Sequence, residues 1–420
     1  HWIRDARSYY SIIALAPAVF FVTFLASFRG YFQGWQIMTP TACSEITEQA
    51  IRVVTMIVFS YLLLPKGLAY AAAGASMGAG AGAFCGLVVL FFFYYRLKKK
   101  FHLEALKQNM EATVEPAMAI IKRVVVLALP VSMSSLMLPI VSNLDLLIVP
   151  ARLEVAGYTV AQATTLFGYL TGMAVPLVNL STILTAALAI SLVPAISESR
   201  VLQDFVGIKE KVKTAFRVAA MITIPCSVGL FVLGEKVAGI IYNAPGAAPA
   251  IEIMSVAIFL LGLHQVSTGI LQGLEHTTIP VVNMIIAAGC KVILNWTLTA
   301  QPSLGIMGSS WATVADIGVA AILNLFFIYK YTEFSLPLKE LLKTIAAAAV
   351  MGFAVKTFLQ ATASWGAWNI LGSMILAVPV YAGVLMGLGG VTKEDLEELP
   401  LVGRKLLEKK KKIGIFKDRT

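Results

Sequence analysis

The chain has 420 residues, 58% of them hydrophobic and 13% charged, about half the charged share of a soluble protein, and its mean hydropathy is +0.81. At about 20 apolar residues per spanning helix this is enough for ten or more spans. A secreted domain, a single-span receptor and a nucleic-acid enzyme are therefore excluded, and an all-α polytopic membrane protein is expected.

In chain order, hydropathy marks eleven spans. They run Tyr9 to Phe28, Ala42 to Leu64, Tyr70 to Tyr95, Val124 to Val149, Leu166 to Val193, Phe216 to Leu233, Ala250 to Leu271, Val281 to Thr299, Gly305 to Ile328, Leu341 to Gln360 and Trp368 to Leu388. Cys43, Cys85, Cys226 and Cys290 all fall in these apolar stretches with no CxxC pair, so they read as small buried residues rather than metal or redox groups. No cofactor is expected.

The loops alternate in charge. Of the 33 Lys and Arg residues, 25 fall on one side, among them Arg29, Arg96 to Lys100, Arg200, Lys209 to Lys213, Lys330 and the tail beyond Val391. By the positive-inside rule that side is cytoplasmic, so the net charge of +10 reports topology and attraction to anionic lipid, with no nucleic-acid partner. A multi-pass protein of the cell membrane with a cytoplasmic C-terminus follows.

An internal repeat organises the spans. Gly30-Tyr-Phe-Gln-Gly34 follows the first span and Gly269-Ile-Leu-Gln-Gly273 follows the seventh, with Pro40 and Pro280 in the loops after them. Pro65 and Pro302 then open similar turns, each leading to a span of small residues, which let helix backbones approach closely. Spans one to three thus look like spans seven to nine. Spans four, five and six come before span seven and its marker, whereas nothing comes before span one and its marker, and the chain starts at His1 without an initiator Met. The expectation is a parallel-repeat transporter of fourteen helices from which three, on the order of 120 residues, are missing at the start.

The resulting domain plan is residues 1–95 as the remaining half of a first lobe, 96–123 as a cytoplasmic linker and 124–330 as a six-helix second lobe. Residues 331–390 would add two further helices and 391–420 a basic cytoplasmic tail.

The stretch from Phe28 through Pro40 and Glu48 to Val53, with Leu170 to Pro176 and Ser191 to Glu198, resembles the stage V sporulation protein B family. That family lies in the polysaccharide transporter branch of the multidrug/oligosaccharidyl-lipid/polysaccharide exporter superfamily, which also holds the lipid II flippases. The resemblance implies a two-lobed fold at work in cell-wall construction and sporulation; a monomer is expected. Its cargo would be a polyprenyl-pyrophosphate-linked saccharide, carried from the cytoplasmic to the outer leaflet. One departure stands out: lipid II flippases carry a basic residue in the helix matching Leu166 to Val193, and this segment has none.

A pyrophosphate cargo needs cations facing a hydrated cavity, and ionisable residues inside spans are costly enough to suggest function. Glu45, Glu48 and Arg52 fall at i, i+3 and i+7 on one face of span two, with Glu48 and Arg52 spaced to pair. Arg52 and Glu48 are the leading substrate-binding candidates, against a purely structural ion pair. Lys291 holds the corresponding place in span eight, slipped by one residue and so turned about 100°. Asp145 in span four resembles a recurrent acidic position of the superfamily and is a candidate for proton or sodium coupling; an interfacial residue in contact with water is the alternative. Asp316 in span nine is a second coupling candidate, with a structural pair to Lys291 as the other reading. An enzyme is not expected: His1, His102, His264 and His276 are scattered and no DxD motif is present. A cation-coupled multidrug exporter is the alternative function.

Overall fold

The structure is a computed structural model that describes residues 9–35, 37–106, 116–334, 337–362, 365–366 and 368–390. The expected tail 391–420 and the linker residue Lys107 lie outside the described residues. Every described element is helical. Among the described residues eleven helices are long and apolar enough to cross a membrane. Two of them, Val160–Ser181 and Ile183–Val201, are consecutive pieces of one rod, and Ala117–Val155 is a further long apolar helix.

Counting rods gives α1 (Tyr9–Gly34), α2 (Thr39–Leu63), α3 (Leu68–Leu106), α4 (Ala117–Val155), α5 (160–201) and α6 (Phe205–Ile241). The remainder are α7 (Pro245–Gly273), α8 (Thr278–Leu298), α9 (Ile306–Thr332), α10 (Leu338–Ala361) and α11 (Trp368–Gly387). The eleven rods match the eleven hydropathy spans one for one. They form two compact units, His1–Glu115 and Pro116–Thr420.

In the first unit, α3 packs along both α1 and α2, which scarcely touch each other. The α2 contact rests on glycines four residues apart. A Cβ at Gly74, Gly78 or Gly82 would stand 2.6 to 2.8 Å from the backbone oxygens of Phe59, Arg52 and Glu48 respectively, so only glycine permits this antiparallel approach. The sequence marks α3 as a small-residue span; the structure shows which neighbour uses it. Many large apolar side chains of α1 and α2, such as Val19, Ile46 and Tyr61, remain exposed, as lipid-facing surfaces do.

In the second unit, α9 packs along both α7 and α8, which again scarcely touch. This is the arrangement of α3 with α1 and α2, and the turns agree as well: Gly67 before α3 and Gly305 before α9 both take positive φ, +117° and +48°. The most deeply buried rod is α7, whose Ile251, Met254, Ile258, Val266, Ile270 and Leu271 are almost fully enclosed. α5 runs parallel to it: Gly246 meets Tyr169, Gly262 approaches Thr185 and Gly273 meets Ile196. A π turn at Leu170–Ala174 and a break at Thr182 let the long α5 follow that surface. Thr159 caps α5 by accepting from Gln162 N while Gln162 Oε1 accepts from Thr159 N. α10 and α11 form a hairpin in which Asn369 Nδ2 donates to the carbonyls of Leu359 and Thr362, and Tyr381 Oη donates to Met221 O on α6.

Candidate functional site

Among the described residues each unit holds a charged cluster within its spans. In the first, Glu48 of α2 is buried and receives two guanidiniums on its two oxygens. Arg29 Nη2, from α1, lies 2.8 Å from Oε2, and Arg52 Nη2 bonds Oε1 from the next turn of the same helix. Arg29 Nη2 also donates to Ser44 Oγ at 3.0 Å, and Ser44 Oγ donates to Gly86 O on α3 at 3.1 Å. Glu45, more exposed, stands 3.9 Å from Arg29 Nη1.

Two arginines on one buried carboxylate leave a surplus positive charge around Glu48, which the exposed Glu45 balances only from the rim. Buried polar groups normally find partners, yet the Nε groups of both Arg29 and Arg52 are buried with no hydrogen-bond partner. The Arg52 side chain is 36% exposed, so it is neither sealed in packing nor fully solvated. The i, i+4 pair was legible in the sequence. Arg29 was read as a loop cation because Gly30 follows it, but α1 continues to Gly34 and carries the arginine beside Glu48.

The second cluster joins three helices. Lys291 of α8 is 5% exposed, with its Nζ 2.6 Å from Asp145 Oδ2 of α4 and 3.9 Å from Asp316 Oδ2 of α9. Asn295, one turn on from Lys291 and fully buried, donates from Nδ2 to Asp145 Oδ1 at 2.8 Å. The expected Lys291 to Asp316 partnership is present, but the closer partner is Asp145. That carboxylate lies against α8, its side chain 15% exposed.

The structure thus brings Lys291, Asp145 and Asp316 together, and separately brings Glu48 and Arg52 together. Arg52 pairs with Glu48 on its own helix, whereas Lys291 pairs with α4 and α9. With all three groups ionised, the second cluster carries one surplus negative charge, and the Asn295 Oδ1 beside it has no partner. One monovalent cation or one proton would neutralise it.

A third polar layer, unread in the sequence, crosses α7, α8 and α9. Asn324 Oδ1 accepts from Asn283 Nδ2 at 2.8 Å, and Asn324 Nδ2 donates to Ser267 and Thr268 at 3.1 Å, with His264 Nδ1 at 3.5 Å. Its signal was the Asn at the same depth in two neighbouring spans. Among the described residues no group of His, Cys, Asp and Glu has the makings of a metal site.

Comparison with known proteins bears on this geometry. The family model described as polysaccharide biosynthesis protein matches residues 3–200, and the MatE model matches 171–297. Stage V sporulation protein B of Bacillus subtilis (strain 168) is 29% identical over 96% of this chain and 78% of its own length. The uncharacterized membrane protein YabM of the same organism is 29% identical over 96% of this chain and 76% of its own. Its lipid II flippase MurJ is 26% identical over 83% of this chain and 65% of MurJ. Among solved structures, lipid II flippase MurJ in an inward closed conformation superposes with TM-score 0.61 at 16% identity, covering 88% of this chain and 71% of that one. A MATE protein in a bent conformation gives 0.60 at 16%, covering 80% and 70%.

The helical fold with its polar clusters inside apolar spans is that of a membrane transporter. The resemblance to the stage V sporulation protein B family read from its motifs is borne out by these matches, and together they support a transporter or flippase of the multidrug/oligosaccharidyl-lipid/polysaccharide exporter superfamily.

Proposed function

We propose that the chain is a flippase for a lipid-linked saccharide bearing a pyrophosphate, moved across the membrane by alternating access, with Arg52 as a headgroup cation held in place by Glu48. The observation that carries this reading is the pair of guanidiniums around one buried glutamate, each keeping an Nε–H without an acceptor. Phosphate oxygens are strong acceptors and arginine matches them geometrically. Arg52 spends one donor on Glu48 and keeps the others for an anion. The names of two relatives, a lipid II flippase and a sporulation protein, give the cargo class a lipid-linked cell-wall precursor.

In this reading the second cluster supplies the coupling. Asp145 and Asp316 compete for Lys291, and uptake of a proton or sodium ion by the cluster changes how tightly α8 holds α4 and α9. Residues 1–95 and 124–330 act as the two moving lobes, and no group-transfer chemistry is assigned. The deciding test is movement of labelled lipid II in proteoliposomes. Arg52→Ala abolishes it if the proposal holds, and full retention of flipping removes Arg52 from the cargo path.

The MatE match over residues 171–297 and the carboxylate pair favour a second reading, a cation-coupled multidrug exporter. It is selected if vesicles show sodium- or proton-dependent dye efflux with no movement of lipid-linked precursor.

A further inference from the structure

Three helices of the second unit, α5, α7 and α9, end at its basic side, each followed by a residue with positive φ: Gln203 (56°), Glu275 (63°) and Glu333 (53°). The chain folds over at these points and leaves a cavity of about 390 Å³. Its apolar lining comes from the buried Ile208 and Leu274 with the exposed Phe205 at the edge, and Arg200, Lys209 and Lys330 line it as well. His276 stacks on Tyr331 at one wall, ring centroids 4.0 Å apart.

Local helix chemistry explains only part of this charge. Arg200 and Lys330 sit in the last turns of α5 and α9, where the helix dipole favours cations. Lys209, Lys211 and Lys213 lie beyond the first turn of α6, in its N-terminal half, where no helix C-terminus accounts for them. The acids that answer them are poor partners. Glu275 is 3.5 Å from Arg200 and Glu333 is 3.2 Å from Lys209, but both carboxylates are well exposed, so these pairs are weak and exchangeable. Lys330 has no carboxylate partner among the described residues. Beside the cations, Val201, Leu202, Phe205 and Val206 form an apolar tip, each at least 66% exposed. Apolar side chains set next to lysines are the pattern of a surface seated at the boundary of headgroups and acyl chains.

We propose that this cavity holds the phosphodiester headgroup of an anionic glycerophospholipid from the adjoining leaflet, with the 201–206 tip anchored among its acyl chains. Basic pockets between spanning helices suit such headgroups. The cargo reading above does not enter this inference: the lipid is a resident of the membrane, bound outside both charged clusters of the spans.

The test uses the full chain in nanodiscs of mixed phosphatidylglycerol and phosphatidylcholine, with the lipid retained on transfer to detergent measured by native mass spectrometry. Phosphatidylglycerol is expected to be enriched about tenfold over its bulk share, because basic groups beside the membrane attract anionic headgroups. Lys209→Glu with Lys330→Glu should return the retained lipid to bulk composition. Lys209→Gln with Lys330→Gln, checked for unchanged helical content, should lower the enrichment severalfold and decides the matter if the charge-reversed protein does not fold. Enrichment that stays undiminished in either folded variant overturns the proposal. So does enrichment erased by millimolar inorganic phosphate, because the site then recognises free phosphate and not a lipid.

Discussion

Lys291 and Asp145 meet at 2.6 Å across 146 positions of sequence, joining α8 to α4 through a contact almost closed to solvent. Removing one member of such a pair leaves a buried charge with weaker compensation, which typically costs about 3–5 kcal/mol. Lys291→Met is therefore expected to lower thermal stability in detergent markedly. Lys291→Met combined with Asp145→Asn should recover much of that loss, and equal melting of the single and double variants would contradict the coupling.

Glycines two residues apart on α3 should respond in opposite directions. At Gly82 a Cβ would lie 2.6 Å from Glu48 O, so Gly82→Ala forces α2 and α3 apart at a cost of about 1–3 kcal/mol. At Gly80 the nearest atom would be 3.6 Å away, an ordinary contact. There alanine gains about 0.5–1 kcal/mol from helix propensity. Thermal unfolding of the two single variants compares them directly.

The donors of Arg52 distinguish charge from geometry. Arg52→Lys keeps the positive charge but loses the planar fork that bonds Glu48 and a phosphate together. Flipping of labelled lipid II is expected to fall about tenfold in the lysine variant, a loss of about 1.4 kcal/mol of cargo binding. It should vanish in Arg52→Ala.

His276 lies outside the spans. Burial first, and then the Arg200 guanidinium, hold its pKa below the ordinary value of 6.5, with Glu275 opposing. The unfolded chain then binds the proton more readily than the folded one. The associated stability is fully present above the unfolded pKa near 6.5 and is lost as pH falls through the lower folded value. Melting temperature should decline over that window, and His276→Gln should flatten the decline.

The sequence revealed what depends on neighbours along the chain and hid what depends on packing order. The spans follow from local hydropathy, and the Glu48 and Arg52 pair from the i, i+4 spacing of a helix. The repeat markers correctly predicted that spans one to three and seven to nine share an arrangement. Arg29 was missed because Gly30 reads as a helix end, whereas helix continuity through Gly34 costs little once α1 packs on α3. The bond from Lys291 to Asp145 was out of reach because no periodicity states that α4 lies beside α8. Asp316 was anticipated only because its helix follows α8 directly.

The glycine seam between α2 and α3 also limits how the first unit can move. Backbones interlocked at every fourth residue cannot creep past one another by small amounts, since each bare notch must find the next one before the surfaces fit again. Sliding is thus restricted to whole-turn jumps of about 5.4 Å, and between such jumps the two rods travel as a stiff plank carrying Glu48 and Arg52 as fixed passengers.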